Sequence, residues 1–471
     1  MFCDRLLRAL LPAVCAMAFC GLARAEEAVL TTPTPQNESA SPEDQPSIST
    51  SAPALGEFKK ALLDRGFNLQ INYFGETLGN TGGVRQGAIY EGLLEMSIDG
   101  DLQKIAGLKG ASFHVNAYQI HGRGLSTYNI FNYSTISGIE ARRTTRLFEL
   151  WFEQEFFDGL ASVRIGQLAA DTEFILSDID ALYFNGTYGW PNITSTNLPG
   201  TGPHYPVTTP GVRLKLTPND QTTLLLAVFN GDPAGVGLDT ALTEIKNPAG
   251  INSRLKDPPL AIAEAQYKYT LPIGADGLAG KVRIGGWRHF GKFDDIYFGV
   301  DGLSLANPSS NGIPITHVGD FGIYGIIDQM IWRLPGDDPK KGIGVYGFAM
   351  ACPPNRNLME FDAQIGVSFA GLWDKRPHDI FGLAASFSKL SSSVQQLDRD
   401  AAFYSDPWTP VRNYELALEL TYQAQIVPGL IIQPDFQYIF NPGAGAVNPI
   451  NPTLGKIPNA AVFGLRVGMK Y

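Results

Sequence analysis

Apolar and polar side chains alternate along many short segments of the chain, most clearly between residues 413 and 423. One face of that segment carries Tyr414, Leu416, Leu418, Leu420 and Tyr422. The opposite face is polar or small. An apolar face with an aromatic residue at each end is typical of a β-strand with lipid outside and water inside. At ~3.3 Å per residue and a tilt of ~45°, the two tyrosines span roughly 19 Å, near the ~25 Å apolar band of an outer-membrane barrel.

The end of the chain separates this interpretation from a soluble sandwich, whose strands also alternate. In residues 461–471, apolar positions alternate with Gly464, Arg466, Gly468 and Lys470, and the last residue is Tyr471. Bacterial outer-membrane proteins commonly end on such a strand with a terminal aromatic residue. We therefore expect the barrel-assembly machinery to recognise Tyr471, and we favour the membrane interpretation.

Sixteen segments from Phe67 onward have strand character. They lie near 67–75, 88–101, 110–121, 144–157, 160–168, 209–217, 221–230, 260–270, 280–291, 320–333, 342–352, 361–372, 379–389, 411–425, 430–440 and 460–471. The linkers between them alternate short and long almost throughout, with 76–87 among the long ones. A Greek-key sandwich has no reason to alternate in this way.

This pattern predicts an all-β protein, a transmembrane antiparallel β-barrel of 16 strands over residues 56–471, with short periplasmic turns and long extracellular loops. An even number of strands puts both ends on the periplasmic side. Two details are predicted as well. Phe148 should face lipid together with Leu150, and Pro434 should cause a β-bulge because it lacks a backbone donor.

The beginning of the chain has a different composition. Residues 1–25 have the basic start, apolar run and small-x-small site of a cleaved signal peptide. Cys20 raises a lipoprotein as the alternative, but the bulky Phe19 before it argues for ordinary cleavage. Residues 26–55 are rich in Pro, Ser and Thr and predict a disordered periplasmic segment. A short helix is expected at 56–65.

Charge and cysteine content narrow the possible functions. The formal net charge is −10, and loss of three Arg and one Asp with residues 1–25 makes it −12. This balance argues against nucleic-acid binding. Cys352 is the only cysteine after residue 25, so an intrachain disulfide is excluded. After residue 25 there is no run of ~18 apolar residues, so no membrane-spanning helix is predicted.

Several short motifs, in order along the chain, resemble one family. They are Asn80-Thr81-Gly82-Gly83, Arg164-Ile165-Gly166-Gln167, Glu173-Phe174, Asn185-Gly186, Gly189-Trp190-Pro191, Asn230-Gly231-Asp232, Arg376-Pro377 with Asp379, Tyr414-Glu415, Gln433-Pro434-Asp435, Gln437-Tyr438 and Asn441-Pro442-Gly443. They resemble the carbohydrate-selective porins of Gram-negative outer membranes, the glucose-porin or OprB type. The resemblance implies a sixteen-stranded barrel that passes small neutral sugars, such as glucose, by passive diffusion and without a cofactor.

A sugar channel needs hydrogen-bonding groups that replace hydration and flat apolar surfaces for the sugar's C–H faces. Strand parity points several basic and acidic side chains inward. The candidates for sugar binding are Arg164, Glu173, Arg213, Arg283, Trp151 and Trp190. Other inward groups are Glu91, Glu95, Glu149, Glu153, Glu264, Glu415, Glu419, Trp287, Arg466 and Lys470. The plain alternative for each charge is a solvated lumen group that balances its neighbours.

The linker 169–208 is the best candidate to fold inward, because an open barrel of 16 strands is too wide to select among sugars. Alternatively, it covers only the outer mouth. His204 lies in it, but the scattered histidines have no metal-ligand spacing, so no metal role is assigned.

Other functions remain open from the sequence. A general diffusion porin for small hydrophilic solutes would share the fold. An outer-membrane enzyme is less favoured, because the chain has no nucleophile elbow and no His-Glu-x-x-His motif. A periplasmic or secreted β lectin, also less favoured, would share the aromatic and acidic sites, and detergent dependence would separate it from a porin. Expected partners are small neutral carbohydrates, membrane lipid and lipopolysaccharide. Both a monomer and a homotrimer fit the sequence.

Overall fold

A computed structural model describes residues 47–48, 53–235, 243–274, 277–336, 338, 340–405 and 409–471. The predicted signal peptide and most of the segment 26–55 lie outside these residues. The strands are β1 (Phe67–Thr81), β2 (Gly87–Asp101), β3 (Ala111–Gly122), β4 (Thr144–Phe156), β5 (Ala161–Leu168), β6 (Thr209–Asn219), β7 (Thr222–Asn230), β8 (Pro259–Leu271), β9 (Leu278–Gly299), β10 (Pro314–Arg333), β11 (Gly342–Ala351), β12 (Met359–Ala370), β13 (Ile380–Leu390), β14 (Tyr414–Val427), β15 (Leu430–Phe440) and β16 (Ala460–Lys470).

The strands form one closed antiparallel barrel. Each strand pairs with its neighbours in sequence, and β1 also pairs with β16. Closure leaves no row of unpaired backbone groups, which a sheet in lipid could not tolerate. The predicted transmembrane barrel of 16 strands is confirmed.

Alternation along the strands matches the two environments. In β14, Leu418 and Leu420 are exposed on the outer surface, whereas Glu415, Ala417 and Glu419 are buried inside. Since successive side chains of a strand point to opposite faces, the polar positions line the lumen and the apolar ones face lipid.

The orientation predicted for Phe148 is wrong. Val115 of β3 pairs with Leu150 of β4, but Ala117 pairs with Leu147, so one residue of β3 lies opposite two of β4. This β-bulge turns Phe148 inward beside Glu149. The Phe148 ring packs 4.7 Å from that of Tyr118 and is 2% exposed.

The bulge predicted at Pro434 is also wrong. Thr421 pairs with Asp435 and Ala424 with Ile432, so the register is the same on both sides of the proline. Pro434 removes a donor without inserting a residue. The Thr421 hydroxyl donates to the Pro434 carbonyl at 3.3 Å.

Two hairpins reach further than predicted. β1 and β2 pair as far as Asn80 and Gly87, which leaves 82–86 as a short linker where a long one was expected. β9 and β10 pair as far as Gly299 and Pro314. We call the end of the barrel with linkers 123–143, 169–208, 231–258, 391–413 and 441–459 the long-loop rim, and the other end the short-turn rim.

Helices are short and lie in the linkers or before β1. The α-helices are Pro53–Asp64, Leu102–Ala106, Asn192–Asn197, Thr243–Lys246, Ser392–Tyr404 and Pro442–Gly445. Short 3₁₀ turns are Phe157–Gly159, Asp180–Leu182, Gly186–Tyr188, Pro199–Thr201 and Pro452–Leu454, and Ser126–Ile130 is a π-helical turn. Across the described residues, no helix is both long and apolar enough to cross a bilayer.

Candidate functional site

The linker 169–208 folds into the barrel, as the first of the two alternatives expects. Carboxylates on the inner wall hold it through its backbone. The N–H groups of Ala169, Ile175, Asp178, Phe184, Asn185 and Ile193 donate to Glu149, Glu264, Asp328, Glu419, Glu419 and Asp362, at 2.9, 3.0, 3.1, 2.6, 3.0 and 3.2 Å. The anchoring acids belong to β4, β8, β10, β12 and β14. The linker therefore follows the inner wall around much of the barrel.

These acids are not the solvated charges of the plain alternative. Glu149, Glu264 and Glu419 are all buried. A buried carboxylate is tolerated when it accepts hydrogen bonds from backbone N–H groups, and such charge-assisted bonds are stronger than neutral ones. The acids of the wall therefore fix the path of the linker.

Three of the predicted sugar-binding residues form one ionic network. Arg164 donates to Glu153 at 2.7 Å, and its Nη1 lies 3.4 Å from Glu173. Arg213 donates to Glu173 at 2.7 Å, to Glu153 at 3.0 Å and to the Ser162 hydroxyl at 2.7 Å. Glu173 belongs to the linker and the other residues to the wall, so the network also braces the linker.

Trp151 faces the lumen, as predicted, beside this network. The Arg164 guanidinium carbon lies 3.7 Å from the centre of the Trp151 ring, a cation–π contact. The His114 ring stacks on the same tryptophan with centroids 5.1 Å apart. We call Trp151, Glu153, Arg164, Glu173 and Arg213 the wall network.

Arg283 lies apart from the wall network. It pairs with Asp328 of the wall and, at 2.6 Å, with Asp178 of the linker. Its side chain is 2% exposed. One acid belongs to the wall and the other to the linker, so Arg283 holds the linker at a second place.

Trp190 packs inside the linker. Its indole N–H donates to the Thr201 carbonyl at 3.1 Å, and its ring stacks on His204 with centroids 5.4 Å apart. Burial lowers the pKa of His204 to about 4, so the imidazole is neutral at physiological pH. In the described part of the chain, no group of three His, Cys, Asp or Glu side chains could hold a metal ion.

A cavity of about 310 Å³ lies between the linkers 123–143 and 169–208 and strands β1, β2 and β16. We call it the inner cavity. The wall contributes Phe74, Leu93 and Arg466, and the linkers contribute Glu140, Asp171, Asp180, Tyr183, Phe184, Trp190 and Tyr205, among others. Of the six predicted binding residues, only Trp190 lines it. The cavity lies beside the strands that the anchoring acids do not occupy.

Arg466 is the wall's basic group in the inner cavity. It donates to Glu76 of β1 at 2.6 Å, and its guanidinium carbon lies 3.8 Å from the centre of the Phe184 ring. Strand parity pointed Arg466 inward, but it was not among the six candidates. Arg466 differs from Arg164, Arg213 and Arg283 in that it lines the inner cavity. Its contact with Phe184 depends on the path of the linker, which strand parity does not give.

Burial shifts the three linker carboxyls of the inner cavity toward their neutral forms. It raises the pKa of Asp171 to about 7, even though the Tyr205 N–H donates to this carboxyl. Burial also raises the pKa of Glu140 and, well above its usual value, that of Asp180. The linker side of the cavity therefore carries less negative charge than its composition suggests.

Known proteins share this architecture. The profile of the carbohydrate-selective porin, OprB family, matches residues 85–471. Porin B of Pseudomonas aeruginosa is 23% identical over 436 residues, which cover 88% of this chain and 89% of the relative. The high-pH structure of Pseudomonas putida OprB has a TM-score of 0.75 at 22% identity, covering 88% of this chain and 97% of that one. Its low-pH structure has a TM-score of 0.53 at 17% identity, covering 89% and 97%.

The match over most of the chain, together with the closed barrel, shows what kind of protein this is. Its family and fold are those of a channel rather than of an enzyme. The chain belongs to the OprB family of carbohydrate-selective porins, and it lies in the outer membrane of a Gram-negative bacterium, where sugars diffuse through its barrel.

Proposed function

We propose that small neutral sugars, such as glucose, cross the barrel through the inner cavity, and that Arg466 and Trp190 bind them there. One observation carries the proposal. The linker 169–208 is held against strands from β4 to β14, and the inner cavity lies beside β16, β1 and β2. The linker thus narrows the barrel on one side and borders an opening on the other.

The chemistry of the inner cavity suits a neutral, hydroxyl-rich solute. Arg466 supplies several N–H donors in a fixed plane, and aromatic side chains supply apolar surface. The carboxyls of Asp171 and Asp180 have raised pKa values, so they resist full ionisation and offer both donors and acceptors. Affinity must stay low enough for the sugar to leave.

The other predicted residues divide by exposure. Arg164 and Glu173 are partly exposed, at 12% and 18% of their side chains, and we assign them contacts with the passing sugar beside Trp151. Arg213 and Arg283 are 1% and 2% exposed, and each pairs with two acids. We assign these two the positioning of the linker.

The test removes Arg466 without leaving its partner Glu76 as an unpaired buried charge. In the double variant Arg466→Met/Glu76→Gln, glucose block of single-channel current should weaken about tenfold, since a hydrogen bond to a charged group contributes ~1.5–3 kcal/mol. Ion conductance should change less than about twofold because the cavity keeps its walls. Liposome swelling in sugars and in amino acids measures the ratio of the sugar flux to the amino-acid flux for the same variant.

The control is Arg254→Met/Asp257→Asn, which removes an ion pair of 2.8 Å in the linker 231–258, outside the inner cavity. It should leave glucose block unchanged. Equal weakening in both double variants, or none in the first, would contradict the assignment of Arg466.

We also propose how the chain reaches and sits in the membrane. Residues 1–25 direct export and are cleaved, and 26–55 remain as a periplasmic segment. Tyr471 is offered to the assembly machinery and then seals the barrel. The last step is supported by its backbone, which exchanges hydrogen bonds with Ile71 of β1 at 2.9 and 3.2 Å. The outer surface of the barrel contacts lipid and lipopolysaccharide. The protein functions as a monomer or a homotrimer.

A further inference from the structure

A second cavity lies at the long-loop rim, between the linkers 123–143 and 441–459. Its volume is about 480 Å³, within the ~300–1,000 Å³ range of small-molecule sites. Thr127, Phe131, Asn132 and Tyr133 line one side, and Val447 and Pro449 line the other. We call it the mouth cavity.

The mouth cavity differs chemically from the inner one. None of the described residues that line it is Asp, Glu, Lys, Arg or His. Its polar groups are hydroxyls and an amide, including Thr127 and Asn132, and Phe131 adds a half-buried ring. An uncharged lining with hydroxyls, an amide and aromatic surface matches a neutral polyol and gives no compensation to an ion.

The backbone beside the mouth cavity is strained. Ser126–Ile130 is a π-helical turn, and Phe131 follows it with φ 65° and ψ 49°, the left-handed region that a bulky residue rarely adopts. Such conformations persist where surrounding contacts fix them, and they cluster at binding sites. The contacts around Phe131 therefore hold it in one conformation at the cavity.

One buried carboxylate fixes both sides of the mouth cavity. Glu415 of β14 accepts from the backbone N–H groups of Tyr133 and Ser134, at 3.0 and 2.7 Å, and from that of Gly443 at 2.8 Å. Glu415 is fully buried. The two linkers therefore keep a fixed separation, which lowers the ordering cost when a ligand binds.

We propose that the mouth cavity is a capture site for one neutral monosaccharide, which binds there before it enters the inner cavity. Thr135 lines both cavities, so the two lie next to each other along the linker 123–143, and the proposed route runs past this residue. This inference rests on the proposed function of the inner cavity and adds a site to its route.

The test adds glucose to each side of a bilayer that holds one full-length channel. A bulky maleimide reagent on Ser309→Cys, in the exposed linker 300–313, marks the long-loop side. In Phe131→Ala, the rate of glucose entry from the long-loop side should fall about threefold to tenfold, the range for losing one aromatic contact. Entry from the short-turn side should stay within experimental error.

The matched control is Tyr128→Ala. Tyr128 lies on the same turn, is exposed and contacts Arg123, but it does not line the mouth cavity. It should leave entry from both sides unchanged. If Phe131→Ala loses its heat-modifiable gel shift, Val447→Trp, which fills the cavity from the opposite linker, takes its place and should give the same one-sided loss.

The outcome also separates this proposal from that for the inner cavity. Arg466→Met/Glu76→Gln should slow entry from both sides, whereas Phe131→Ala should slow entry from one. Unchanged entry from the long-loop side, or an equal loss from both sides, in folded Phe131→Ala or Val447→Trp protein overturns the capture site. A failure of the Arg466 variant alone overturns the inner site.

Discussion

Two arginines in this barrel lie on aromatic rings at almost the same distance, yet their surroundings differ. The Arg164 guanidinium carbon is 3.7 Å from the ring centre of Trp151, and that of Arg466 is 3.8 Å from the ring centre of Phe184. Arg164 belongs to a network of two arginines and two acids. Arg466 pairs with Glu76 and lines the inner cavity.

The difference lies in what each guanidinium still has to offer. In the wall network the acids Glu153 and Glu173 are shared between Arg164 and Arg213, so charge is balanced within the protein. Beside Arg466, part of the surroundings is the cavity itself. Arg164 therefore shares its acids with a second arginine, whereas Arg466 has a single acid partner and a cavity beside it. Three variants test what that difference does.

The largest effect is expected when the wall network loses its buried arginine. Arg213→Ala leaves Glu153 and Glu173 with one cation between them, and breaking a buried ion pair costs about 3–5 kcal/mol. Unfolding in denaturant should show this loss, together with a wider pore of higher ion conductance. The control is Lys109→Ala, which breaks a pair at the short-turn rim with side chains 81% and 88% exposed. It should change the free energy of unfolding by about 1 kcal/mol or less. A similar loss in both variants would mean that burial does not strengthen the contribution of the wall network to stability.

A smaller and more specific effect is expected from Arg164→Ala. Glu153 and Glu173 keep Arg213 as a partner, so the barrel should remain folded. Glucose flux should fall more than ion conductance, because the variant removes donors at a partly exposed position. Single-channel conductance and liposome swelling, measured on the same preparation, check this. Equal loss of both quantities, or of neither, would argue against a role for Arg164 in binding.

The smallest effect is a pH dependence of ion selectivity at the inner cavity. Because burial raises the pKa of Asp171 to about 7, this carboxyl is mostly neutral at pH 5 and mostly anionic at pH 9. Cation selectivity should therefore rise modestly through pH 7, as shown by the reversal potential in a salt gradient. Asp171→Asn should flatten that step. A step that persists in Asp171→Asn would place the titrating group elsewhere.

The free energy of unfolding should also depend on the ionisation of Asp171, and it should fall as the pH rises. The folded state binds the Asp171 proton more tightly than the unfolded state does, so this group's contribution to stability falls as the pH rises from about 4 to about 7. The Asn variant should lack that decrease in denaturant unfolding.

Strand positions could be read from the sequence because they depend on a local rule. Leu418 and Glu419 occupy adjacent positions, and only one orientation of β14 points the first toward lipid and the second into the barrel. The rule failed at Phe148, where an extra residue in β4 reverses the orientation. Nothing in the local pattern distinguishes that segment from a regular strand.

The roles of the inward charges could not be read in the same way. Parity placed Arg213, Arg283 and Arg466 inside the barrel. Which partners each arginine has depends on where the linker 169–208 lies, because Glu173, Asp178 and Phe184 belong to it. That path is set by contacts with acids far away in sequence, such as Glu264 and Glu419. Local periodicity carries no information about such contacts.

The attachment of the linker to Glu419 also has a consequence for assembly. The amides of Phe184 and Asn185 precede this carboxylate by 235 and 234 residues. Contacts of such long sequence separation form late, because the intervening chain must first be organised. The linker can therefore reach its final position only after β14 has joined the sheet. The barrel then stays wide until nearly all its strands have paired, and the constriction forms late in assembly.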